Sequence, residues 1–120
     1  MFCSCLSRQG LAAVPYYALA SGFLTGKYRP GATVEGPRAA GAGEHLETER
    51  GRKVLAALDE IAEAHDAPVA TVALAWLAAQ PTVVSPIASA RTPEQLPALL
   101  GVAELTLTDA EIARLTEASA

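Results

Sequence analysis

Apolar residues in this chain follow two patterns. Leu11-Ala12-Ala13-Val14-Pro15-Tyr16-Tyr17 and the run at about 83–88 are nearly continuous. Such runs suit strands buried on both faces, as in a parallel sheet. Pro15 lies near the end of the first, where a lost ladder bond costs least. Elsewhere the spacing is helical. Val54, Leu58, Ile61 and His65 share one face, with Leu55 and Ala62 beside it, and predict a helix opening near Glu49. This stripe reads as core packing. His65-Asp66-Ala67-Pro68 breaks it. A second helix is predicted from about Pro68 to Gln80, with Val69, Val72, Ala73, Trp76 and Leu77 inward, Trp76 as a core anchor and Pro81 as the stop.

Short signals fill in the rest. Residues 2–10 read as the tail of a helix with Gly10 as its C′ residue. Thr92, Pro93 and Gln95 read as N-cap, first helical position and capping-box partner of a helix over about 93–100. Pro97 makes that helix short or distorted, and Gly101 can close it. Thr108-Asp109-Ala110-Glu111 is a second capping box, opening a last helix to about Ala118 with Ile112 and Leu115 inward. From Arg29 to about Thr48 the chain is rich in Gly, Pro and Ala without a hydrophobic period, which reads as a long functional or mobile loop with Arg38 in its middle. Strands alternating with helices predict an α/β chain of parallel β/α units. Two such strands have too few neighbours for a stable sheet, so the sequence reads as part of a larger β/α fold. No internal repeat is evident.

Composition narrows the possibilities. The chain has 120 residues, 51% of them apolar and 18% charged, which predicts one globular domain. Its net charge is −4 and it carries no basic stripe, which argues against non-specific nucleic-acid binding. No apolar run reaches bilayer length, and Met1 to Leu6 lacks a signal-peptide layout. Cys3 and Cys5 form a C-x-C pair with no second Cys/His pair to complete a metal site, and His45 and His65 are isolated. Reduced thiols in a cytoplasmic protein are the simplest reading.

Candidate chemistry gathers at Val83 to Leu96. An apolar run stops at small residues, Arg91 follows, and a capped helix opens. Free backbone N–H groups beside a guanidinium can meet a phosphate. The same residues also describe an ordinary turn with a solvated arginine. Ala18 to Tyr28 is a second stretch of small residues, over which a backbone can approach a ligand, with Lys27 offering a charge.

These stretches resemble a known family. Pro15-Tyr16-Tyr17-Ala18-Leu19-Ala20-Ser21-Gly22-Phe23-Leu24-Thr25-Gly26-Lys27-Tyr28 resembles the segment after the seventh strand of aldo-keto reductases. Val72 to Leu77 resembles their seventh main helix, Pro86 to Leu96 the eighth strand and following turn, and Leu105 to Glu111 the start of an added C-terminal helix. The ordered set covers nearly the whole chain from about residue 5.

The resemblance implies the C-terminal part of a (β/α)₈ TIM barrel. It would be an incomplete barrel of about two parallel strands and four to five helices, filling residues 1–120. It implies an oxidoreductase passing hydride between NADPH and an aldehyde or ketone, with NADP(H) across the barrel's C-terminal face. Tyr16 would stack on the nicotinamide. Leu19, Ala20 and Ser21 would line the pyrophosphate, with Lys27 and Arg38 along it. Ser89, Arg91 and Gln95 would hold the adenosine end, with Arg91 facing the 2′-phosphate. Ala98 and Leu99 stand where many members carry Glu and Asn. The family's catalytic Asp, Tyr, Lys and His lie on earlier strands, and no motif carrying them occurs here. Tyr16, Tyr17 and Tyr28 match other positions. The competing reading is non-enzymatic: a truncated product, or a packing module that associates through exposed strand edges with another chain.

Overall fold

Leu55, Leu58, Ile61 and Ala62 are buried on one face of the longest helix, Glu49–His65. Around it the computed structural model places α1 (Phe2–Arg8), α2 (Ala39–Glu47), that helix as α3, α4 (Val69–Ala78), α5 (Leu96–Leu100) and α6 (Asp109–Ser119). Short 3₁₀ turns span Ala20–Thr25, Pro93–Gln95 and Gly101–Ala103. The structure describes residues 2–31, 33 and 35–120, with Phe2 and Cys3 described by backbone alone, so the Cys3 thiol lies outside it. Cys5 is a free, exposed thiol.

Local chemistry defines the ends of α3. The Thr48 hydroxyl accepts from Gly51 N at 2.9 Å, satisfying one orphan donor of the first turn. Glycine is required at 51, because a Cβ there would sit 1.9 Å from the His45 carbonyl oxygen. Asp66 closes the helix at φ 50°, with Asp66 N donating to Glu63 O and Ala67 N to Ala62 O. That is a Schellman closure, made here on an aspartate. Gly10 closes α1 the same way, at φ 66° with Leu11 N bonded to Leu6 O.

Helix α3 serves two cores. Leu58 and Ile61 pack with Val72 and Ala73 of α4, with Leu107, and with Leu115 and Ala118 of α6. Leu55 packs with Phe23, Tyr28 and Ala42. Each large apolar side chain buried in this way stabilises the fold by about 1.5–3 kcal/mol. The α3 stripe follows the sequence pattern. In α4, Ala70, Thr71, Leu74 and Ala75 are buried along with the predicted Val72 and Ala73. Val69, Trp76 and Leu77 are only half-buried, and the Trp76 indole N–H donates to Thr116 Oγ1 at 3.1 Å.

Three expectations are corrected. The α/β class with two parallel strands is overturned: among the described residues there is no strand and no sheet, and the architecture is helical. Residues 11–17 and 83–88 run alongside each other through a single parallel bridge, Ala13 to Val83. Ala13 N donates to Thr82 O at 2.6 Å and Val84 N to Ala13 O at 3.0 Å. A ladder would next require N–H groups at residues 15 and 86. Both are proline, so neither bond can form. Ile87 N reaches Pro15 O instead, one residue out of step. Second, residues 29–48 are not all loop, because 39–47 form α2. Gly41 and Gly43 hid it from the pattern, while the fully buried Ala42 holds it against its neighbours.

Third, the helix predicted over 93–100 is two pieces, a 3₁₀ turn and then α5. Pro97 sits in the first turn of α5, where its missing N–H does no harm. Thr92 makes no side-chain cap, and Gln95 Oε1 accepts from Arg91 N at 2.9 Å in place of a capping box. Gly101 is the C-cap of α5, in right-handed geometry at φ −57°, and leads into the last 3₁₀ turn. Among the described residues no helix is long and apolar enough to cross a membrane.

The capping box of α6 forms as predicted. Thr108 N donates to Glu111 Oε2 at 2.8 Å, and Glu111 N to Thr108 Oγ1 at 3.2 Å. Its other carboxylate oxygen lies 2.7 Å from His65 Nε2, tying α6 to the end of α3. The Thr108 N–H, and then His65, hold the Glu111 carboxyl below its ordinary 4.5. A depressed folded-state value means stability that is present above that ordinary value and lost as pH falls through the folded one. Replacing Glu111→Gln keeps an acceptor for the Thr108 N–H but removes the charge, and is expected to cost about 0.3–1 kcal/mol near neutral pH. Its unfolding curve should converge on that of the native protein as pH drops below 4.5. Thermal melts followed by circular dichroism across that range check this, and two curves that stay parallel contradict it.

Candidate functional site

The candidate site grows from the turn at Ala20–Thr25. Ala20, Ser21 and Gly22 lie consecutively at φ 46°, 58° and 94°. Left-handed geometry at a non-glycine residue costs about 1–2 kcal/mol, so the surroundings must hold it. Ala20 N donates to Tyr17 O, while Gly22 N and Leu24 N both donate to Leu19 O. The Thr25 hydroxyl donates to Gly22 O at 2.6 Å. Phe23 is driven into the core between Ala42 and Leu55. The turn therefore presents a fixed backbone edge, and such stored strain is typical of ligand-binding positions.

Gly26 ends the turn at φ 76°, where a Cβ would come within 3.2 Å of Val69. Beyond it, Lys27 lays its ammonium 4.9 Å from the centroid of the Tyr28 ring. Tyr28 is buried, whereas Lys27 is exposed. Arg29 turns the other way. Its Nε donates to Gly26 O at 2.7 Å, and its two Nη groups grip both oxygens of Asp59 on α3, at 2.5 and 2.7 Å. The Asp59 hydrogen bond raises the Arg29 pKa above its ordinary value.

A cleft of about 420 Å³ opens between this turn, residues 35–38, the start of α4 and residues 87–99. Of the nine predicted site residues, Tyr16, Leu19, Ser21, Lys27, Arg38, Ser89, Arg91 and Gln95 line it. Ala20 does not; it contributes its backbone to the turn behind the surface. Residues more than seventy positions apart in sequence thus face one space. The far wall is anchored from below, where the Thr71 hydroxyl, 2% exposed, donates to Ala98 O at 2.6 Å. Gly101 lies close over the same threonine, 3.2 Å from where its Cβ would be.

Three of the nine Lys and Arg side chains line this cleft, against the single carboxylate of Glu35, in a chain whose net charge is −4. Among the described residues, Lys27, Arg38 and Arg91 make no ion pair, while Arg29, Lys53 and Arg114 each do. Cations left unpaired around a concave surface favour an anionic ligand. Tyr16 and Tyr17 stand at the rim, 79% and 70% exposed, in an edge-to-face pair with centroids 5.3 Å apart. Among the described residues no group of His, Cys, Asp or Glu side chains is placed to hold a metal.

Sequence reasoning passed over Tyr28, Glu35, Ala98 and Leu99 as lining residues. Tyr28 sits next to Lys27 in the motif already singled out, and that adjacency was the available signal. The Arg29–Asp59 grip has no sequence signal, because its partners lie thirty residues apart on unrelated elements.

Residues 1–120, the entire chain, match the family model described as the aldo/keto reductase family, and the chain belongs to that family. Its members are oxidoreductases that generally use NAD(P)H and act on small carbonyl compounds.

Proposed function

We propose that the cleft binds NADP(H), and that this chain contributes the cofactor-holding part of an aldo/keto reductase. The observation that carries this reading is the set of three cations, Lys27, Arg38 and Arg91, that make no ion pair among the described residues and line one cleft beside a strained backbone turn. The donors suit a ligand with a pyrophosphate and a further phosphate. The volume falls within the range of about 300–1,000 Å³ typical of cofactor pockets.

In this reading the exposed face of Tyr16 stacks on the nicotinamide. Leu19 and Ser21 offer the turn's backbone edge to the pyrophosphate, Ala20 fixing that edge from behind, with Lys27 and Arg38 neutralising its charge. Ser89, Arg91 and Gln95 take the adenosine end. Gln95 has its oxygen committed to Arg91 N, which leaves its amide NH₂ to donate. When bound, the cofactor supplies a hydride for a carbonyl carbon. The carbonyl oxygen needs a proton donor, and the reading assigns that role to none of Tyr16, Tyr17 or Tyr28. A cytoplasmic setting accompanies it.

Arg91 carries the preference for the phosphorylated cofactor. Replacing Arg91→Ala removes a charge-assisted contact worth about 1.5–3 kcal/mol. NADPH binding, followed by fluorescence titration, should weaken about ten- to a hundredfold, while NADH binding changes less than about threefold. Equal losses for the two nucleotides would contradict the assignment.

A second reading rests on a separate observation. Leu11, Val14, Val84 and Ile87 are 57%, 53%, 71% and 49% exposed along the two extended segments, beside the exposed Tyr16 and Tyr17. An apolar patch of this kind marks an association surface, and here the two segments would pack against another chain. Size-exclusion chromatography with light scattering should then show concentration-dependent association that a Val84→Glu change reduces. A strictly monomeric chain across the micromolar range contradicts it.

A further inference from the structure

We propose that Arg29 and Asp59 act as the positioning pair of the cleft, fixing Lys27 and Tyr28 against it from behind; the ligand side of the proposal rests on the cofactor reading above. Neither residue lines the cleft. Both stand immediately behind elements that do. Arg29 follows Tyr28 in the chain, and Asp59 is on α3, whose Leu55 lies in the same core as Phe23 and Tyr28.

The geometry separates this pair from an ordinary surface ion pair. Exposed single-contact pairs contribute little, because two long side chains must be ordered for one screened attraction. Here all three guanidinium nitrogens are engaged. Nε holds the Gly26 carbonyl, and the two Nη groups form a fork on Asp59. One side chain thus links the left-handed end of the turn to the longest helix. It spans Lys27 and Tyr28, which sit between its two anchor points in sequence. With Gly26 O and Arg29 both fixed, the intervening residues have little freedom. The Lys27 ammonium then keeps its place over the Tyr28 ring, at the cleft edge.

The other ion pairs do different work. Lys53–Glu49 lies within α3, and Arg114–Glu60 joins α6 to α3 on exposed side chains. Neither touches a lining segment. A lysine cannot replace Arg29, since an ammonium on a flexible stem cannot hold a carbonyl and both carboxylate oxygens in one plane. Asparagine at 59 keeps one acceptor but loses the charge and half the fork.

The test uses Arg29→Lys and Asp59→Asn in the full chain. The two side chains are 39% and 42% exposed, so neither change empties a core. Hydrogen exchange of the segment 22–28 should speed up about fivefold in each variant, while exchange in α3 and α6 is unchanged. NADPH affinity should fall about fivefold in parallel, with the same loss in both variants. Unchanged exchange over 22–28, or loosening spread evenly through α3 and α6, would overturn the proposal. Loosening confined to 22–28 in a protein whose native form binds no NADPH would support the positioning role and overturn the cofactor reading instead.

Discussion

The buried face of α3 is the constraint on which everything else in this chain depends. Leu58, Ile61 and Ala62 hold α4 and α6, and Leu55, one turn earlier, holds the Phe23 turn and α2. The cleft has no rigid sheet beneath it. Its near wall is a self-bonded turn fastened to α3 through Phe23, Tyr28 and the Arg29 fork. Its far wall is α5, fastened to α4 through Thr71, and α4 in turn packs on α3. A shift of α3 would therefore move both walls. Its ends are fixed by Thr48 and Asp66, neither of which lines the cleft.

On that frame the chain sets an electrostatic exception. The molecule is acidic, yet Lys27, Arg38 and Arg91 converge on one concave surface without carboxylate partners among the described residues. Three carboxylates are committed to cations outside the cleft, Asp59 to Arg29, Glu49 to Lys53 and Glu60 to Arg114. The left-handed run at Ala20 to Gly22 adds a strained backbone edge to the same surface. Strain is retained where the surroundings over-determine it, and here four local hydrogen bonds and a buried phenylalanine do so. The family's members generally use NAD(P)H, and the proposed function assigns that class of ligand to this cationic surface.

Much of this was legible in the sequence for physical reasons that can be named. The α3 stripe, the α6 capping box and the Gly10 closure are local devices whose residues specify them without tertiary help. The family was legible because its motifs occur in order. The extended segments misled, because a continuous apolar run says that residues are water-averse, not that a partner with free N–H groups is present. Pro15 and Pro86 remove the two bonds that would have extended the Ala13–Val83 bridge into a ladder. Helix α2 escaped because two glycines dilute its pattern, and only Ala42, fully buried, reveals what it packs on. The gathering of Ser21, Lys27, Arg38 and Arg91 followed from the resemblance. The Arg29–Asp59 grip could come only from coordinates.

The central claim is that distant segments form a single anion-binding cleft. A titration of the isotopically labelled chain with NADP⁺, read by amide chemical shifts, tests it most directly. The account predicts that Ser21, Lys27, Arg38, Ser89 and Arg91 shift together along one saturable curve, with the α3–α6 contact undisturbed. Shifts that are absent at saturating nucleotide, or that gather on the Leu11 and Val84 surface instead, would contradict it.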